Sequence, residues 1–373
     1  MRVVIAGAGP VGLTAAVGLA RRGFAVTVLE AGSGLAAESR ASTYHPPTLE
    51  MLAELGALDR LMERGLVSHT FQYRERRGGV VAELDMRLLA GDTPYPYRVQ
   101  CEQSKLTPIL LDMLRAEGGD VVFDAPVVDV VQDAGTATAI TADGTRYTGD
   151  WLIGADGASS RVRKALNVQF EGITYPERFL VASTEEDLEA LIHGIAAVNY
   201  VFDPEEWLVL LRTPDHWRVL FPTPEDTPDE VELARLPERL RGVVDVEWKV
   251  AHSTLYRVHQ RVAADFRTGR VVLVGDAAHV NNPLGGMGLN SGIHDAVAVT
   301  AALGDLDALD AACARRREVA ESYVQKITHS NWEQLRDPDS HKAGLRELAG
   351  DPVRARAHLL RTSMIASLRT VDV

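Results

Sequence analysis

Arg2-Val3-Val4-Ile5-Ala6-Gly7-Ala8-Gly9-Pro10-Val11-Gly12, at the start of the chain, decides how the rest is read. Arg2 to Ala6 is an apolar, β-branched run of the kind that forms a buried parallel strand. Directly behind it, Gly7, Gly9 and Gly12 make a G-x-G-x-x-G pattern. Leu13 to Arg22 predicts a helix ending at Gly23, and Phe24 to Leu29 predicts a second strand closed by Glu30. An acidic residue about 20 positions after the glycines completes the fingerprint of a dinucleotide-binding βαβ unit. The glycines, with Pro10 and Val11 between them, permit a tight turn and a close backbone approach to a pyrophosphate. The helix N-terminus favours its negative charge. Glu30, followed by Ala31, is suited to accept hydrogen bonds from an adenosine ribose. A carboxylate there disfavours a ribose 2′-phosphate, so the site suits FAD or NAD better than NADP.

Val3 to Ala20 carries no charge, which raises a membrane span or an export signal as a rival reading. Glycines and a proline interrupt the run, and Arg21 and Arg22 follow it rather than precede it, against both. A glycine motif that serves packing alone would not need the strand, the helix and the acidic residue in their places.

Two further signatures lie downstream. Asp150 to Ala155 reads as a strand, and Asp156-Gly157 follow it before a helix start at Ser159 to Arg163. Asp-Gly after a strand is equally an ordinary turn. Arg270 to Val274 reads as a buried strand ending in Gly275-Asp276, and Pro283-Leu284-Gly285-Gly286-Met287-Gly288-Leu289-Asn290 leads into a helix. An anionic acceptor at Asp276 suits a polyol rich in hydroxyl donors. Backbone N–H groups at the start of that helix suit a ligand edge that carries negative charge.

Composition narrows the function classes. The chain has 373 residues and a formal net charge of −13, which disfavours a nucleic-acid partner. Its length exceeds the usual single domain. Two cysteines, Cys101 and Cys313, provide neither a disulfide framework nor a zinc pattern, and the eleven histidines form no metal motif. The reading is therefore a cytoplasmic protein with no metal and no membrane partner.

Together the three signatures resemble the single-component FAD-dependent aromatic hydroxylases of the p-hydroxybenzoate hydroxylase kind. The Pro283 to Asn290 segment and the C-terminal texture are closest to hydroxyphenylpropionate hydroxylases. The resemblance implies an α/β (α+β overall) fold: a Rossmann-like FAD-binding domain, a discontinuous antiparallel-sheet substrate domain and a C-terminal helical region. The expected bounds are 1–72, 98–165 and 257–310 for FAD binding, 73–97 and 166–256 for substrate, and 311–373 for the helices. Short strands are expected at Ala196 to Phe202, Trp207 to Thr213 and His216 to Pro222, and a last apolar helix around Leu359 to Leu368. Larger members carry a further thioredoxin-like domain, for which this chain has no length.

The resemblance also implies roles. Gly7, Gly9, Pro10, Val11, Gly12, Glu30, Ala31, Arg40, Gln103, Asp156, Gly275, Asp276, Pro283, Gly285, Gly286, Gly288, Leu289 and Asn290 are the expected FAD contacts. Arg40 matches a family arginine that helps the flavin move. Arg40, Pro283, Tyr200 and Arg212 are the catalytic candidates, with Trp217 and Arg218 on the same covering sheet; strand alternation lets only one of that last pair face the ring. The implied reaction uses NADH or NADPH and O2 to hydroxylate a phenolic substrate through a flavin C4a-hydroperoxide, in a site that excludes water. A small aromatic substrate and a homodimer are the expected partners. No second glycine fingerprint follows a strand, so NAD(P)H is expected to bind transiently. A halogenase would carry a Trp-x-Trp-x-Ile-Pro segment, which Trp207 and Trp217 do not form. An isoprenoid reductase of the same fold, or a flavin-binding protein without catalysis, is also compatible with the three signatures.

Overall fold

A computed structural model describes residues 1–37, 41–203 and 205–369. The opening strand Arg2–Ala6 sits inside a six-stranded sheet ordered Arg267–Thr268, Val271–Leu273, Trp151–Gly154, Arg2–Ala6, Ala25–Leu29, Asp120–Val122. Its pairings are parallel except at the Arg267–Thr268 edge. Val3, Val4 and Ile5 are fully buried, as both faces of a parallel sheet require. The helix behind the glycines spans Pro10–Arg21, starting earlier than Leu13 because proline is pre-set for the first helical turn. It packs across Gly18 onto Thr300 of the helix Gly288–Ala302.

The second large sheet has eight strands, ordered His279–Val280, Val250–Ala263, Phe170–Thr184, Trp217–Pro224, Leu208–Arg212, Val198–Phe202, Thr70–Glu75, Gly79–Asp85. Its pairings are antiparallel except between Val198–Phe202 and Thr70–Glu75. The expected borders at 72/73 and 256/257 fall inside the strands Thr70–Glu75 and Val250–Ala263. Both strands continue through those positions, although the ladder shifts register beside them, at Tyr73/Arg74 and between Arg257 and His259.

Alternation gives this sheet two covered faces. Leu180, Leu210, Trp217 and Val219 pack against Leu236 and Leu240 of the helix Asp229–Val243. Phe71, Tyr73, Phe179, Tyr200 and Val209 point the other way, toward Leu284 and toward Leu335, Leu345 and Leu359 of the C-terminal helices. Those helices begin at Leu306 rather than 311, where Asp305 caps the first turn by accepting from Ala308 N at 3.1 Å. The expected last helix is two helices, Pro352–Thr362 and Ile365–Leu368, broken at Met364, whose φ of 67° is left-handed. Among the described residues no helix is long and apolar enough to cross a membrane.

Candidate active site

The three signatures, far apart in sequence, meet at the C-terminal ends of the parallel strands. Gly7 has φ +103°, and a Cβ there would stand 2.4 Å from the Ala155 carbonyl oxygen. A Cβ on Gly12 would stand 2.0 Å from the Gly7 carbonyl oxygen and 3.3 Å from Ala155 Cβ. The first and second signatures are thus in backbone contact. Val11 joins the third: its side chain lies 3.1 Å from where a Gly275 Cβ would sit and 2.6 Å from that of Gly292. Only glycine fits these junctions.

Gly9 is different. A Cβ built on it meets nothing within 4 Å, and the helix it precedes has no side-chain cap. A space one side chain deep therefore faces the uncapped N–H groups, a cradle of the right chemistry for a pyrophosphate. Glu30 stands at the other end of this turn, accepting from Ala8 N at 2.8 Å and Gly32 N at 2.9 Å. Its carboxylate is fixed at the strand end, beside exposed Ala31, where an adenosine ribose would lie. Asp276 is exposed on the short helical turn Gly275–Ala277, next to Val11. These residues fit FAD.

Asp156 does not keep its carboxylate for a cofactor. Oδ1 accepts from Ser160 Oγ at 2.6 Å, and Oδ2 accepts from Arg161 N at 2.7 Å and Val162 N at 3.1 Å. The side chain holds the start of the helix Arg161–Ala165, and only its backbone adjoins Gly7. This is a helix-start role of the ordinary kind.

Behind Asp276 lies a buried ionic cluster that sequence reasoning missed. Asp295 accepts from Gly275 N at 3.1 Å, pairs with His279 Nε2 at 2.7 Å and with Arg316 Nε at 2.6 Å. Burial pushes the Asp295 carboxyl up, but His279 and Arg316 outweigh it and hold the group at about 2. Arg316 also donates to Ser291 Oγ at 2.9 Å. The cluster ties the Gly275 turn, which carries Asp276, to the helix Gly288–Ala302.

The segment Pro283–Asn290 is clamped from several sides. Gly286 N donates to the Pro283 carbonyl at 3.0 Å, closing a turn in which Gly285 and Gly286 have φ of +108° and +67°. His45 Nε2 stands 2.8 Å from the Gly285 carbonyl, so that nitrogen carries the proton. Asn290 donates to the carbonyls of Thr43 at 2.8 Å and Gly286 at 2.6 Å, and accepts from His45 N at 2.8 Å. Asn331 donates to the Leu284 carbonyl at 3.2 Å. Gly288 opens a helix that has no side-chain cap, and Leu289 is buried behind it. A rigid loop ending in free N–H groups suits a flavin edge. Gln103 enters the same region, its N–H donating to the Ala41 carbonyl at 3.0 Å. Arg40 lies outside the described residues.

Tyr200 reaches this loop from the eight-stranded sheet. Its hydroxyl is in hydrogen-bonding reach of the Arg98 guanidinium and of the Gly285 backbone. Tyr73 stacks on it at 5.3 Å, and Phe71 meets it edge-on at 6.4 Å. Arg212 does not belong here. It pairs across the ladder with Trp217, whose side chain is buried on the opposite face, and it bonds the Thr213 carbonyl at 2.8 Å. The same alternation turns Arg218 toward Glu102 and Tyr256, on the side of Tyr200. Arg98 and His45 are the site residues the sequence did not mark, since neither stands in a motif.

A cavity of about 760 Å³ opens among the C-terminal helices and is lined by Tyr323, Asn331, His358 and Arg361, among others. Asn331 holds Leu284 and His358 lies in the electrostatic reach of Arg98, so this cavity borders the clamped loop.

A family model described as an FAD binding domain matches residues 1–327. Para-nitrophenol 4-monooxygenase from a Pseudomonas species is 33% identical over 99% of this chain and 97% of its own length. 6-Hydroxy-3-succinoylpyridine 3-monooxygenase from Pseudomonas putida is 36% identical over 92% of this chain and 90% of its own. A crystal structure of p-nitrophenol 4-monooxygenase from Pseudomonas putida superposes with a TM-score of 0.94 at 31% identity, covering 99% of this chain and 98% of that one. The convergence of three signatures on one cofactor cradle has its explanation in kinship: the chain belongs to the FAD-binding family and is an FAD-dependent aromatic monooxygenase.

Proposed function

We propose that this chain uses NADH or NADPH and O2 to hydroxylate a small aromatic ring that already bears a hydroxyl group. The observation that carries the reading is the meeting of the clamped Pro283–Asn290 loop with the aromatic face of Tyr73 and Tyr200. Two of its relatives are named for hydroxylated rings, a nitrophenol and a hydroxypyridine.

Bound FAD would accept hydride and activate oxygen there. The Gly9 cradle, Glu30 and Asp276 would hold its polar half, and the N–H groups at Gly288 would face its pyrimidine edge. The chain's own part is to orient and to exclude water. Tyr73, Phe71 and Tyr200 form an apolar wall that disfavours bulk solvent. His45, Asn290 and Asn331 keep the loop from yielding. Burial lowers the His45 ring well below its usual range, with Arg98 adding to the effect, so it donates to Gly285 in a neutral form. A transiently bound nicotinamide must approach from solvent, so substrate is expected to govern when reduction occurs. A cytoplasmic location belongs to the same proposal, supported by two buried unpaired thiols, Cys101 and Cys313. So does a homodimer, which light scattering would test. The reading is tested by NAD(P)H-dependent oxygen uptake by the purified holoenzyme over a panel of phenols. Uptake with stoichiometric hydroxylated product supports it, and saturation of a double bond or halide insertion would replace it.

A further inference from the structure

The FAD site does not account for the cavity of about 760 Å³ among the C-terminal helices. Its size is that of an ordinary small-molecule pocket. One wall comes from the helices Leu306–Val319 and Gln325–Arg336, the other from Pro352–Thr362 and Ile365–Leu368. Each wall is irregular where it borders the cavity. Between the first two helices, Ala320–Val324 winds as a π turn, and its Ser322 and Tyr323 line the cavity. An extra residue wound into a helix is rare and recurs mostly at functional sites. In the second wall, Met364 has its left-handed φ of 67° between the lining residues Thr362 and Ala366. A side chain is strained in that region and persists there only when its surroundings hold it.

The lining is part apolar and part positive. Val319, Tyr323, Ile327 and Ala366 form an apolar floor, in the same cluster as Met287 of the Pro283–Asn290 loop. Lys326 and Arg361 line the same cavity, and among the described residues neither has an ion pair. Glu318 is the one carboxylate of the lining; it is 61% exposed and is paired with Arg315 at 2.7 Å. His358 adds a buried Nε2 that has no hydrogen-bond partner among the described residues. A chain with a net charge of −13 repels anions as a whole, so unbalanced cations gathered in a concave place single that place out. Such a lining matches a molecule with an apolar body and one negative group.

We propose that this cavity is a binding site for a small organic carboxylate, separate from the place where the ring is hydroxylated. The apolar body lies on the floor of Tyr323 and Ile327, and Lys326 and Arg361 meet the charge. The occupant sits against the supports of the Pro283–Asn290 loop. Asn331 lines the cavity while donating to the Leu284 carbonyl at 3.2 Å, and Met287 belongs to the cluster of the floor. The site stands whether or not a phenol is the substrate.

The test is calorimetric titration of the FAD-loaded enzyme with octanoate, kept below its micelle concentration, and with 1-octanol as the uncharged counterpart. Octanoate is expected to bind once per chain, and octanol about tenfold more weakly or worse. Lys326→Gln combined with Arg361→Gln is expected to raise the octanoate dissociation constant about tenfold or more, with FAD content unchanged. Both side chains are exposed, so the double variant keeps its fold. Saturating 4-nitrophenol is expected to leave octanoate bound. No octanoate binding, equal affinity for octanol, or unchanged affinity in the double variant overturns the site. Displacement of octanoate by 4-nitrophenol overturns its separateness and joins the cavity to the place of hydroxylation. None of these readouts uses turnover, so failure of the hydroxylation reading shows only in oxygen uptake and leaves the titrations as they are.

Discussion

His45 holds the Pro283–Asn290 loop at two points: its ring stands 2.8 Å from the Gly285 carbonyl, and its backbone N–H donates to Asn290 Oδ1, also at 2.8 Å. One residue thereby ties the entrance of the helix Pro46–Glu54 to the turn and to the helix start that would face the flavin. Removing the donor leaves a buried carbonyl without a partner, which costs about 1–3 kcal/mol. His45→Leu should lower the stability of the apoprotein by that order in urea unfolding and raise the FAD dissociation constant. His45→Gln, which keeps an N–H, should recover part of both. Unchanged FAD affinity in His45→Leu would show that the loop holds its shape unaided.

Gly9 and Gly12 separate cofactor space from packing space. A Cβ on Gly9 meets no atom within 4 Å, whereas one on Gly12 would be 2.0 Å from the Gly7 carbonyl. Gly9→Ala should leave apoprotein stability within about 0.5 kcal/mol while FAD binding weakens roughly tenfold or more. Gly12→Ala should destabilise the apoprotein itself, because backbone must move. Calorimetry of the apoproteins alongside FAD titration checks both, and equal destabilisation by the two variants would mean Gly9 faces protein.

Acid should unfold this protein in two stages. His45, His294 and His358 are buried and held neutral, with His294 at about 3 and His358 at about 4, burial being the main cause in each. Their folded pKa values lie below the ordinary value of about 6.5, so the unfolded chain binds more protons below that pH. Their contribution is complete above about pH 6.5 and declines as pH falls toward about 4. The slope approaches roughly 1.4 kcal/mol per pH unit for each histidine. Asp295 adds a later loss. Its stabilisation is present above about pH 3.9, the unfolded value, and disappears as pH falls through its folded value of about 2. Urea midpoints of the apoprotein measured from neutral pH to pH ~4 should fall steadily, and His294→Gln should flatten the slope. A flat profile above pH ~4 would contradict the buried neutral histidines.

Asp295→Asn at neutral pH tests the cluster behind Asp276 directly. It leaves Arg316 buried without its anion, a change of about 3–5 kcal/mol in comparable cases. FAD should also bind more weakly, since the Gly275 turn loses its anchor at the Asp295 carboxylate. Wild-type stability in that variant would show that Ser291 and solvent satisfy Arg316 alone.

How much of the fold and site is legible in the chain depends on whether the signal is local. The glycine loop, the strand before it and Glu30 obey spacing rules, because the turn, the helix start and the ribose contact lie within one βαβ unit. Asp276 and the segment to Asn290 are legible for the same reason. Position alone marks Asp156 as a cofactor contact, but its carboxylate goes to the nearest free N–H groups, those of Arg161 and Val162. Arg212 does lie on the covering sheet, but on the face turned away from the loop. Only the pairing with Trp217 fixes that face. Arg98 and His45 matter through partners more than a hundred residues away, Tyr200 for the first and Gly285 for the second, and no local pattern announces such contacts. Two of the expected domain borders fall inside strands for a related reason: a strand's sheet is set by its partners, and Thr70–Glu75 finds one neighbour at Val198–Phe202.

Reduction should depend on substrate. Under anaerobic stopped-flow conditions, a phenol that the enzyme hydroxylates should speed reduction of the bound flavin by NADH or NADPH well beyond the rate without it. Equal rates would mean that reduction precedes and ignores substrate.

The central claim, that this chain inserts oxygen from O2 into a hydroxylated aromatic ring, is tested most directly by isotope-labelled O2. The purified FAD-loaded enzyme, NADH or NADPH and 4-nitrophenol or a related phenol are incubated under the labelled gas, and the product is weighed by mass spectrometry. The account predicts one labelled oxygen atom in the aromatic product and none when the label is in the water. Consumption of NAD(P)H that yields only hydrogen peroxide for every phenol tried, or product oxygen drawn from water, would contradict it.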